Sequence, residues 1–315
     1  ALLADGAFHS GEQLGNALGM SRAAVWKLVK GLSEVGLDVH AVSGKGYRLA
    51  RPLELLDEEE IAAQLSVESR ALLDRIEVHR VLPSTSAYLM QRAVSGAPGG
   101  VACFAEYQQS GRGRRGRQWI APYGSNIPLS LLWRFYEGAG RLGGLSLAVA
   151  VSLHRALIEC GLQGAGLKWP NDILVDGRKL AGILLEVAGE SNGPCYAVIG
   201  IGVNFDMPEG EVPGINQPWT DLRRCGVDAN RNLVAGRILH HLLLAITQYL
   251  KEGLDAFRDE WEKWDLTANQ PVMILHGDEK RYGVARGIDS RGLLRLEDEN
   301  GMHSLSSGEV SLRTI

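Results

Sequence analysis

A glycine-rich segment in the middle of the chain restricts the fold more than any other feature. Residues 110–119 read SGRGRRGRQW, and the three glycines fit the pattern G-x-G-x-x-G of a dinucleotide-binding turn. That turn needs a strand before it and a helix that begins within it. The strand-like run GVACFAEYQ precedes the segment, but the sequence after it is interrupted by Pro122, Gly124 and Pro128. The sequence therefore excludes a dinucleotide-binding βαβ unit, and we expect this segment to connect two strands.

Arginines fill the remaining positions of this segment: Arg112, Arg114, Arg115 and Arg117. No G-K-[ST] follows, so the segment is not a P-loop. Arginine keeps its charge and binds carboxylates and phosphates through pairs of parallel hydrogen bonds. The pattern predicts a reaction in which a carboxylate and a triphosphate are held together. A solvated basic loop, or one that binds only DNA phosphates, is the alternative.

Length and composition indicate a globular protein of several domains. A chain of 315 residues that is 45 % hydrophobic and 22 % charged is expected to form two or three domains. The net charge of −4 requires any nucleic-acid contact to come from a local basic surface. The four cysteines form no C-x-x-C pair, which argues against a metal site or a disulfide framework and favours a reducing compartment.

No segment of the sequence predicts a membrane span. The most apolar region, LGGLSLAVAVSLHRALIECGL, contains His154, Arg155 and Glu159, which is typical of a buried helix. No signal peptide is visible, although the chain begins at Ala1 rather than Met. We expect a soluble, cytoplasmic protein.

The first 52 residues predict a winged helix-turn-helix. A helix that begins at Ser10 or Gly11 is followed by a turn at Gly19 and by a second helix with Ser21 as its N-cap. The spacing of Val25, Leu28, Val29 and Leu32 predicts one inward stripe on that second helix. A hairpin, LDVHAV–SGKG–YRLA, follows as the wing.

Positive charges gather on the second helix and the wing, which favours DNA as the partner. The predicted DNA-binding set is Ser21, Arg22, Lys27, Lys30 and Lys45. A three-helix protein-interaction module is the alternative.

Residues 53–266 predict a mixed α/β domain. It begins with a connector and a capped helix in RPLELLDEEEIAAQL, and strand-like and helical runs then alternate without a strict βαβ period. The run from NLVAGRI to DEWEKW predicts one long helix. Asp176-Gly177 predicts a tight hairpin between antiparallel strands. From 267 to 315, short strands separated by Gly and Asp turns predict a small β-barrel of SH3-like type.

The hairpin segment KWPNDILVDGRKLAGILLE supplies a second polar cluster. In an ideal hairpin with a two-residue turn, two residues lie opposite each other when their numbers add up to 353. In that register Lys168, Asp172 and Lys179 lie on one face of the hairpin. Such a face beside an arginine loop predicts a nucleotide site. A surface hairpin with scattered lysines is the alternative.

Several motifs, in this order, resemble one known family. The segments GRGRRGRQW, KWPND with RKLAGI, and IGIGVNF are similar to the catalytic domain of biotin–protein ligases. The preceding SGEQLGNALGMSRAAVWKLV and GKGYRL resemble the DNA-binding domain of the bifunctional ligase/repressors, and SGEVSLR resembles their C-terminal ending. The resemblance covers nearly the whole chain, and it implies an α+β, multidomain protein.

The resemblance implies a biotin–[biotin carboxyl carrier protein] ligase that uses ATP and Mg²⁺. Biotin and ATP first give biotinyl-5′-AMP, and a lysine amine of the carrier protein then attacks this mixed anhydride. The same resemblance implies a repressor of biotin synthesis genes that responds to biotinyl-AMP and binds operator DNA as a homodimer. No dedicated metal site in the protein is expected, since Mg²⁺ arrives with ATP.

The functional residues of the family are assigned to the matching positions of this sequence. The implied biotin-binding set is Ser84, Thr85, Ser86, Gln108, Arg112, Gly113, Arg114 and Lys179. The implied set for ATP and the adenylate is Arg114, Arg117, Asn171, Asp172, Asn204 and Trp219. Lys179 and Arg114 are the implied catalytic residues. The family commonly has S-T-N where this chain has S-T-S, so Ser86 is shorter than the family residue.

Alternatives remain for two tryptophans and for the activity. Trp219 is expected to pack on adenine or to anchor its own loop, and Trp119 suits the site and the core equally. A ligase whose N-terminal module does not bind DNA is one functional alternative. A lipoate or other acyl ligase is another, although such relatives normally lack both the arginine loop and the winged helix.

Overall fold

A computed structural model describes residues 1–136, 138–210, 212–276, 279–308 and 310–314. Two segments contain residues outside these ranges. They are the loop MPEGEVPGINQP before Trp219, which contains Glu211, and the C-terminal run SGEVSLRTI, which contains Glu309 and Ile315. The described chain contains a two-stranded, a seven-stranded and a five-stranded sheet.

The N-terminal module consists of two helices and a β-hairpin, as predicted. Helices α1 (Gly11–Leu18) and α2 (Arg22–Gly31) are followed by strands β1 (Val39–Val42) and β2 (Gly46–Leu49). Ser10 caps α1 in a reciprocal pair with Gln13.

The predicted inward stripe of α2 is wrong at one position. Val25 is only 1 % exposed, whereas Leu28 is 51 % exposed. Val29 and Leu32, which are partly buried, pack with Val25 against Leu14 and Leu49 in a small core. Because this core is narrow, it covers only the part of α2 centred on Val25 and leaves the flank with Leu28 in solvent.

The central sheet is mixed, as the sequence predicted. In spatial order, its strands are β3 (Arg75–Leu82), β4 (Val101–Gln108), β5 (Asn126–Phe135), β9 (Cys195–Asn204), β8 (Arg178–Gly189), β7 (Asp172–Val175) and β6 (Ala165–Lys168). Strands β3 and β4 are parallel, and the other neighbouring pairs are antiparallel. The glycine-rich segment connects β4 to β5, so it is a strand-to-strand loop and not a βα turn.

The Asp176-Gly177 turn joins β7 to β8, but the ideal register holds for only two pairs. Val175 lies opposite Arg178 and Leu174 opposite Lys179, after which a bulge shifts the pairing by one residue. Asp172 therefore lies opposite Gly182. The predicted register is wrong beyond Lys179, where the backbone N–H and carbonyl of that residue form hydrogen bonds with Pro218 and Thr220 on its other side.

Helices cover the sheet and enclose the main core. They are α3 (Glu58–Ala62), α4 (Val67–Ala71), α5 (Thr85–Val94), α6 (Leu145–Glu159), α7 (Arg231–Glu252) and α8 (Asp255–Trp264). The single long helix predicted from 232 to 264 is wrong. Gly253, with φ of 70°, ends α7, and α8 begins two residues later.

Helix α7 is a core helix. By length and composition it resembles a membrane span, but 56 % of its apolar window is buried inside the structure. At its start, the fully buried Arg231 pairs with the fully buried Glu106 of β4, and its guanidinium also donates to the backbone carbonyl of Glu54. Glu106 accepts a further hydrogen bond from the N–H of Leu56. This network fixes the connector between the N-terminal module and the central sheet.

The C-terminal segment forms an antiparallel sheet. Its spatial order is β13 (Gly301–Leu305), β12 (Leu294–Asp298), β11 (Glu279–Ile288), β10 (Pro271–His276) and β14 (Ser311–Thr314). The predicted run HSLSSGEVSLRTI is divided between β13 and β14, at opposite ends of this order. A small β-domain is confirmed, while closure into an SH3-like barrel stays a prediction.

Candidate functional site

An open cleft lies on the central sheet beneath the arginine loop, with about 730 Å³ of empty space. The start of α5, the end of β4 and the middle strands of the sheet form its walls. Eleven predicted residues line it: Ser84, Thr85, Ser86, Gln108, Arg112, Gly113, Arg114, Arg117, Asn171, Asp172 and Lys179.

One end of the cleft carries a network of buried hydroxyl and amide groups. The Thr85 hydroxyl lies 2.8 Å from that of Ser130, and the Ser86 hydroxyl lies 3.0 Å from the same Ser130 oxygen. Gln108 Oε1 accepts hydrogen bonds from the backbone N–H and the hydroxyl of Thr85. Ser84 caps α5 and orients this turn. Since these groups are nearly inaccessible to solvent, they present fixed donors and acceptors to a polar head group.

The floor of the cleft is made by glycines. A Cβ on Gly202 would lie 2.5 Å from the Trp119 ring, and one on Gly200 would lie 2.6 Å from Ser86 Oγ. The indole of Trp119 therefore packs against bare backbone, and it lines the cleft. Its role in ligand binding stays a prediction. Its Nε1 is buried without a hydrogen-bond partner among the described residues and can donate to a ligand.

The arginine loop is folded back on itself. The N–H of Gly113 donates to the carbonyl of Arg117 at 2.7 Å, and the N–H of Trp119 donates to the carbonyl of Gly111 at 2.9 Å. Arg115 closes the turn in a left-handed conformation with φ of 58°. Arg115 and Arg117 are exposed at its tip.

Two arginines of this loop already have partners. Arg112 pairs with Glu186 of β8 at 3.0 Å. Arg114 donates to Asn171 Oδ1 at 3.1 Å and, through its other terminal nitrogen, to the backbone carbonyl of Ser307. Arg114 thus links the loop, the β6–β7 turn and the C-terminal sheet.

Lys179 lies where the cleft meets a second cavity. Its Nζ is 2.7 Å from Asp172 Oδ1 and 5.7 Å from the centre of the Trp119 ring. Burial lowers the pKa of neighbouring Lys168, the cations Arg313, Lys179 and Arg117 lower it further, and Asp172 raises it. This region is therefore a cationic cluster around one carboxylate, which suits binding of an anion.

The second cavity, with about 1030 Å³ of empty space, adjoins the first and shares Lys179, Arg117 and Trp119 with it. Trp219 and Asn204 line it. One face of Trp219 carries the Arg224 guanidinium at 4.2 Å. The side-chain amide of Asn204 donates to the backbone carbonyls of Thr220 and Lys179, at 2.8 Å and 3.4 Å. Asn204 thus holds the Trp219 segment against β8, and Trp219 is both a cavity wall and part of that anchored segment.

Several lining residues were not found by sequence reasoning. They are Gln118, Ser130, Gly182, Gly200, Gly202, Gln217 and Arg313. Ser130 carried a signal, because it is the one polar residue inside the apolar run IPLSLLW. Arg313 carried none, since a C-terminal strand reaches this cavity only through the tertiary fold.

The predicted DNA-binding residues lie on the exposed side of the N-terminal module. Arg22, Lys27, Lys30 and Lys45 are all exposed. Ser21 is also exposed, and its hydroxyl accepts the N–H of Ala24 as the N-cap of α2. The second helix and the wing therefore present exposed basic side chains: Arg22, Lys27, Lys30 and Lys45.

Comparison with known proteins agrees with this architecture. The chain matches the Biotin/lipoate A/B protein ligase family over residues 78–204, the Biotin protein ligase C terminal domain over 267–313 and an HTH domain over 1–48. It is 42 % identical to the bifunctional ligase/repressor BirA of Escherichia coli over 100 % of this chain and 96 % of that protein. The chain belongs to the bifunctional ligase/repressor family. The predicted family, with a ligase and a repressor in one chain, is confirmed.

More distant relatives of this ligase/repressor support the same assignment. The Bacillus subtilis bifunctional ligase/repressor BirA is 32 % identical over 97 % of this chain and 94 % of its own length. A biotin protein ligase from Aquifex aeolicus, solved in complex with biotin and ATP, superposes with a TM-score of 0.67 at 26 % identity, and the match covers 77 % of this chain and 100 % of that one. The boundaries at 52/53 and 266/267 stay predictions.

Proposed function

We propose that this ligase/repressor joins biotin to a lysine of the biotin carboxyl carrier protein through biotinyl-5′-AMP, and that its N-terminal module binds operator DNA in response to that adenylate. The position of Lys179 carries the catalytic part of this proposal. Its ammonium lies at the junction of a cleft lined with buried hydroxyls and a cavity walled by Trp219. A carboxylate held in the first and an α-phosphate held in the second meet at this group.

In the first step a carboxylate oxygen of biotin attacks the α-phosphorus of ATP. The new C–O–P bond forms as the bond to the bridging oxygen breaks, and pyrophosphate leaves. In the second step the neutral ε-amine of a carrier lysine attacks the acyl carbon, the amide forms, and AMP and a proton are released. The protein supplies no nucleophile, so its contribution is alignment of two anions and stabilisation of charge.

The cleft beneath the arginine loop is assigned to biotin. Thr85, Ser86 and Gln108 would bind its polar head group, with Ser130 ordering the hydroxyls. Trp119 would cover the apolar part of the ligand. The folded loop would place Arg112, Gly113 and Arg114 over the valerate carboxylate and its acyl phosphate.

The second cavity is assigned to the nucleotide. Adenine would pack on the face of Trp219 that Arg224 leaves open, while Arg117 and Lys179 would bind phosphate oxygens. Asp172 lies beside Lys179, Asn171 lines the same cleft, and Asn204 would act by holding the Trp219 segment.

Mg²⁺ would bind mainly to the phosphates of ATP. Among the described residues no group of three or more His, Cys, Asp or Glu side chains lies together. Asp172 offers a carboxylate but is already paired with Lys179. Because Mg²⁺ keeps several waters and is commonly held by one or two carboxylates plus substrate phosphates, this arrangement fits the ion as a companion of ATP.

The repressor part rests on the exposed basic surface of Arg22, Lys27, Lys30 and Lys45, together with family membership. A homodimer bound to a two-fold operator follows from helix-turn-helix geometry. The protein would be cytoplasmic, because operator DNA and carrier protein are both accessible in that compartment.

The ligase activity is tested by labelling a carrier domain. Purified protein is incubated with ATP, Mg²⁺, the carrier domain and either labelled biotin or labelled lipoate. We expect ATP-dependent transfer of biotin and little transfer of lipoate. Equal or preferential transfer of lipoate would instead identify a lipoate ligase.

The repressor activity is tested separately by titration of an operator-like palindrome with and without biotin plus ATP. We expect the ligands to tighten binding, with an increase in the mass of the complex to that of a dimer. An affinity that is unchanged on adding the ligands would favour an N-terminal module that does not act as a repressor.

A further inference from the structure

A large aromatic side chain stands out on the exposed side of helix α2. Trp26 is 52 % exposed, although tryptophan is usually among the most buried residues on average. The small core of the module includes Val25 and Val29 of the same helix, but it does not include Trp26. Aromatic side chains are enriched where proteins contact partners, so the neighbours of Trp26 decide what its exposure means.

The neighbours of Trp26 identify the chemistry of that partner. Residues spaced as i, i+1, i+4, i+5 and i+8 share one side of a helix, and here they are Arg22, Ala23, Trp26, Lys27 and Lys30. All five are exposed. The Lys30 ammonium lies 5.4 Å from the centre of the Trp26 ring. Residues 22–31 contain three cations and no Asp or Glu, so the surface is complementary to a polyanion.

We infer that Trp26 reads base pairs in the major groove and is a determinant of operator specificity; this inference rests on the DNA-binding part of the proposed function. The second helix of a helix-turn-helix contacts base edges through its N-terminal half, and Trp26 is the fifth residue of α2. The cations around it bind phosphates, which position the helix but carry no sequence information.

The chemistry of the indole selects one kind of base contact. A flat apolar ring at the groove floor packs favourably on the C5-methyl group of thymine, which distinguishes thymine from the other bases in the major groove. Its N–H is a donor only and suits an acceptor such as thymine O4 or guanine N7. Trp26 therefore favours operator positions that present a thymine methyl.

The test begins with the sequence that the protein selects. Full-length protein with biotin, ATP and Mg²⁺ is used to select duplexes from a randomised pool. The affinities of wild type and of Trp26→Ala are then measured for the selected duplex and for a scrambled duplex of the same composition. We expect Trp26→Ala to lose roughly 10-fold or more in affinity for the selected duplex and less than about 2-fold for the scrambled one.

Leu28→Ala is the matched control. Leu28 is equally exposed and lies on the same helix, but outside the Trp26 side. Its substitution is expected to leave both affinities within about 2-fold. Trp26→Phe, which keeps a ring, is expected to retain part of the discrimination.

Replacement of single thymines by uracil identifies the contact. Removing one methyl group at a contacted position should weaken wild-type binding by roughly 3- to 5-fold, in line with one buried methyl, and should cause no further loss with Trp26→Ala. Unchanged discrimination in Trp26→Ala would overturn the inference while the repressor function stands. Failure of the liganded wild type to select any sequence would overturn the repressor function and this inference with it.

Discussion

The two functional surfaces of this chain are built in opposite ways. In the ligand cleft, Thr85, Ser86, Gln108 and Ser130 are buried and hydrogen-bonded to one another. On the N-terminal module the cations and Trp26 extend into solvent. The cleft residues are held in place by one another, whereas the DNA surface relies on charge and on contacts with the partner.

This difference predicts different sensitivities to substitution. A buried, networked group acts at low dielectric, and its loss leaves neighbours unsatisfied. An exposed cation contributes one screened interaction among several. We therefore expect large, local effects in the cleft and small, additive effects when single exposed cations of the DNA surface are removed.

The largest effect is expected at the junction of the two cavities. Lys179→Ala should slow adenylate formation by at least about 100-fold, because it removes the charge that stabilises the carboxylate and α-phosphate oxygens. Single-turnover release of pyrophosphate measures this step. Arg178→Ala, an exposed neighbour on the same hairpin, is the control and should react normally. Near-normal pyrophosphate release in a folded Lys179→Ala protein would remove Lys179 from the catalytic residues.

A smaller effect is expected at the arginine that links three parts of the protein. Arg114→Ala should release biotinyl-AMP roughly 10-fold faster or more, since hydrogen bonds from a charged group to the intermediate are lost. Release is followed by chasing labelled adenylate in the absence of carrier protein.

Arg115→Asn provides the matched control for this measurement. Arg115 is exposed in the same turn, and Asn tolerates its left-handed backbone conformation. The control should retain the adenylate as wild type does. If both variants, or neither, lose the adenylate faster, the specific role of Arg114 is wrong.

A third effect tests whether the cleft acts as a network. Ser130→Ala should weaken biotin binding by roughly 3- to 10-fold, because the Thr85 and Ser86 hydroxyls lose their shared partner. Isothermal titration with biotin measures it. Ser152→Ala, which removes a hydroxyl that is equally buried in α6, controls for general destabilisation. Equal biotin affinities in the two variants would mean that the network does not order the pocket.

The smallest effect is expected on the wing. Lys45→Ala should weaken binding to non-specific duplex by roughly 2- to 4-fold and lower the slope of log affinity against log salt by about 1, as expected for one lost phosphate contact. Lys280→Ala, an exposed lysine of the C-terminal sheet, should leave the slope unchanged. A much larger loss for Lys45→Ala would break the contrast between the two surfaces.

The order of elements could be predicted from local patterns. Alternating and continuous apolar runs identified the long strands of the central sheet, and Ser10 and Ser21 were recognisable as helix caps. Two local predictions were wrong. Leu28 fits the inward stripe but is 51 % exposed, because the small core does not extend to it. Gly253 ends α7 through its positive φ, although the apolar period continues across it.

The site was predictable where its residues belong to contiguous motifs. The loop and the hairpin that carry Arg114 and Lys179 are read directly from the sequence, and the structure brings them together in one cleft. Contributions from the C-terminal segment were not predictable. Arg313 and the Ser307 carbonyl come from the C-terminal sheet, more than a hundred residues after the hairpin. Only the packing of that sheet on the β6–β7 turn, where Trp169 donates to the carbonyl of Gly292, places them there.

The glycine floor also limits how the ligand repertoire of this enzyme can change. At Gly200 and Gly202 no smaller residue exists, and a single methyl group would already collide with Ser86 or Trp119. Substitutions there can only narrow the pocket, so acceptance of bulkier carboxylic acids must come from the walls. A library designed to redirect this ligase to other acids should therefore keep the floor invariant and vary Ser86, Leu184 and Trp119 around it.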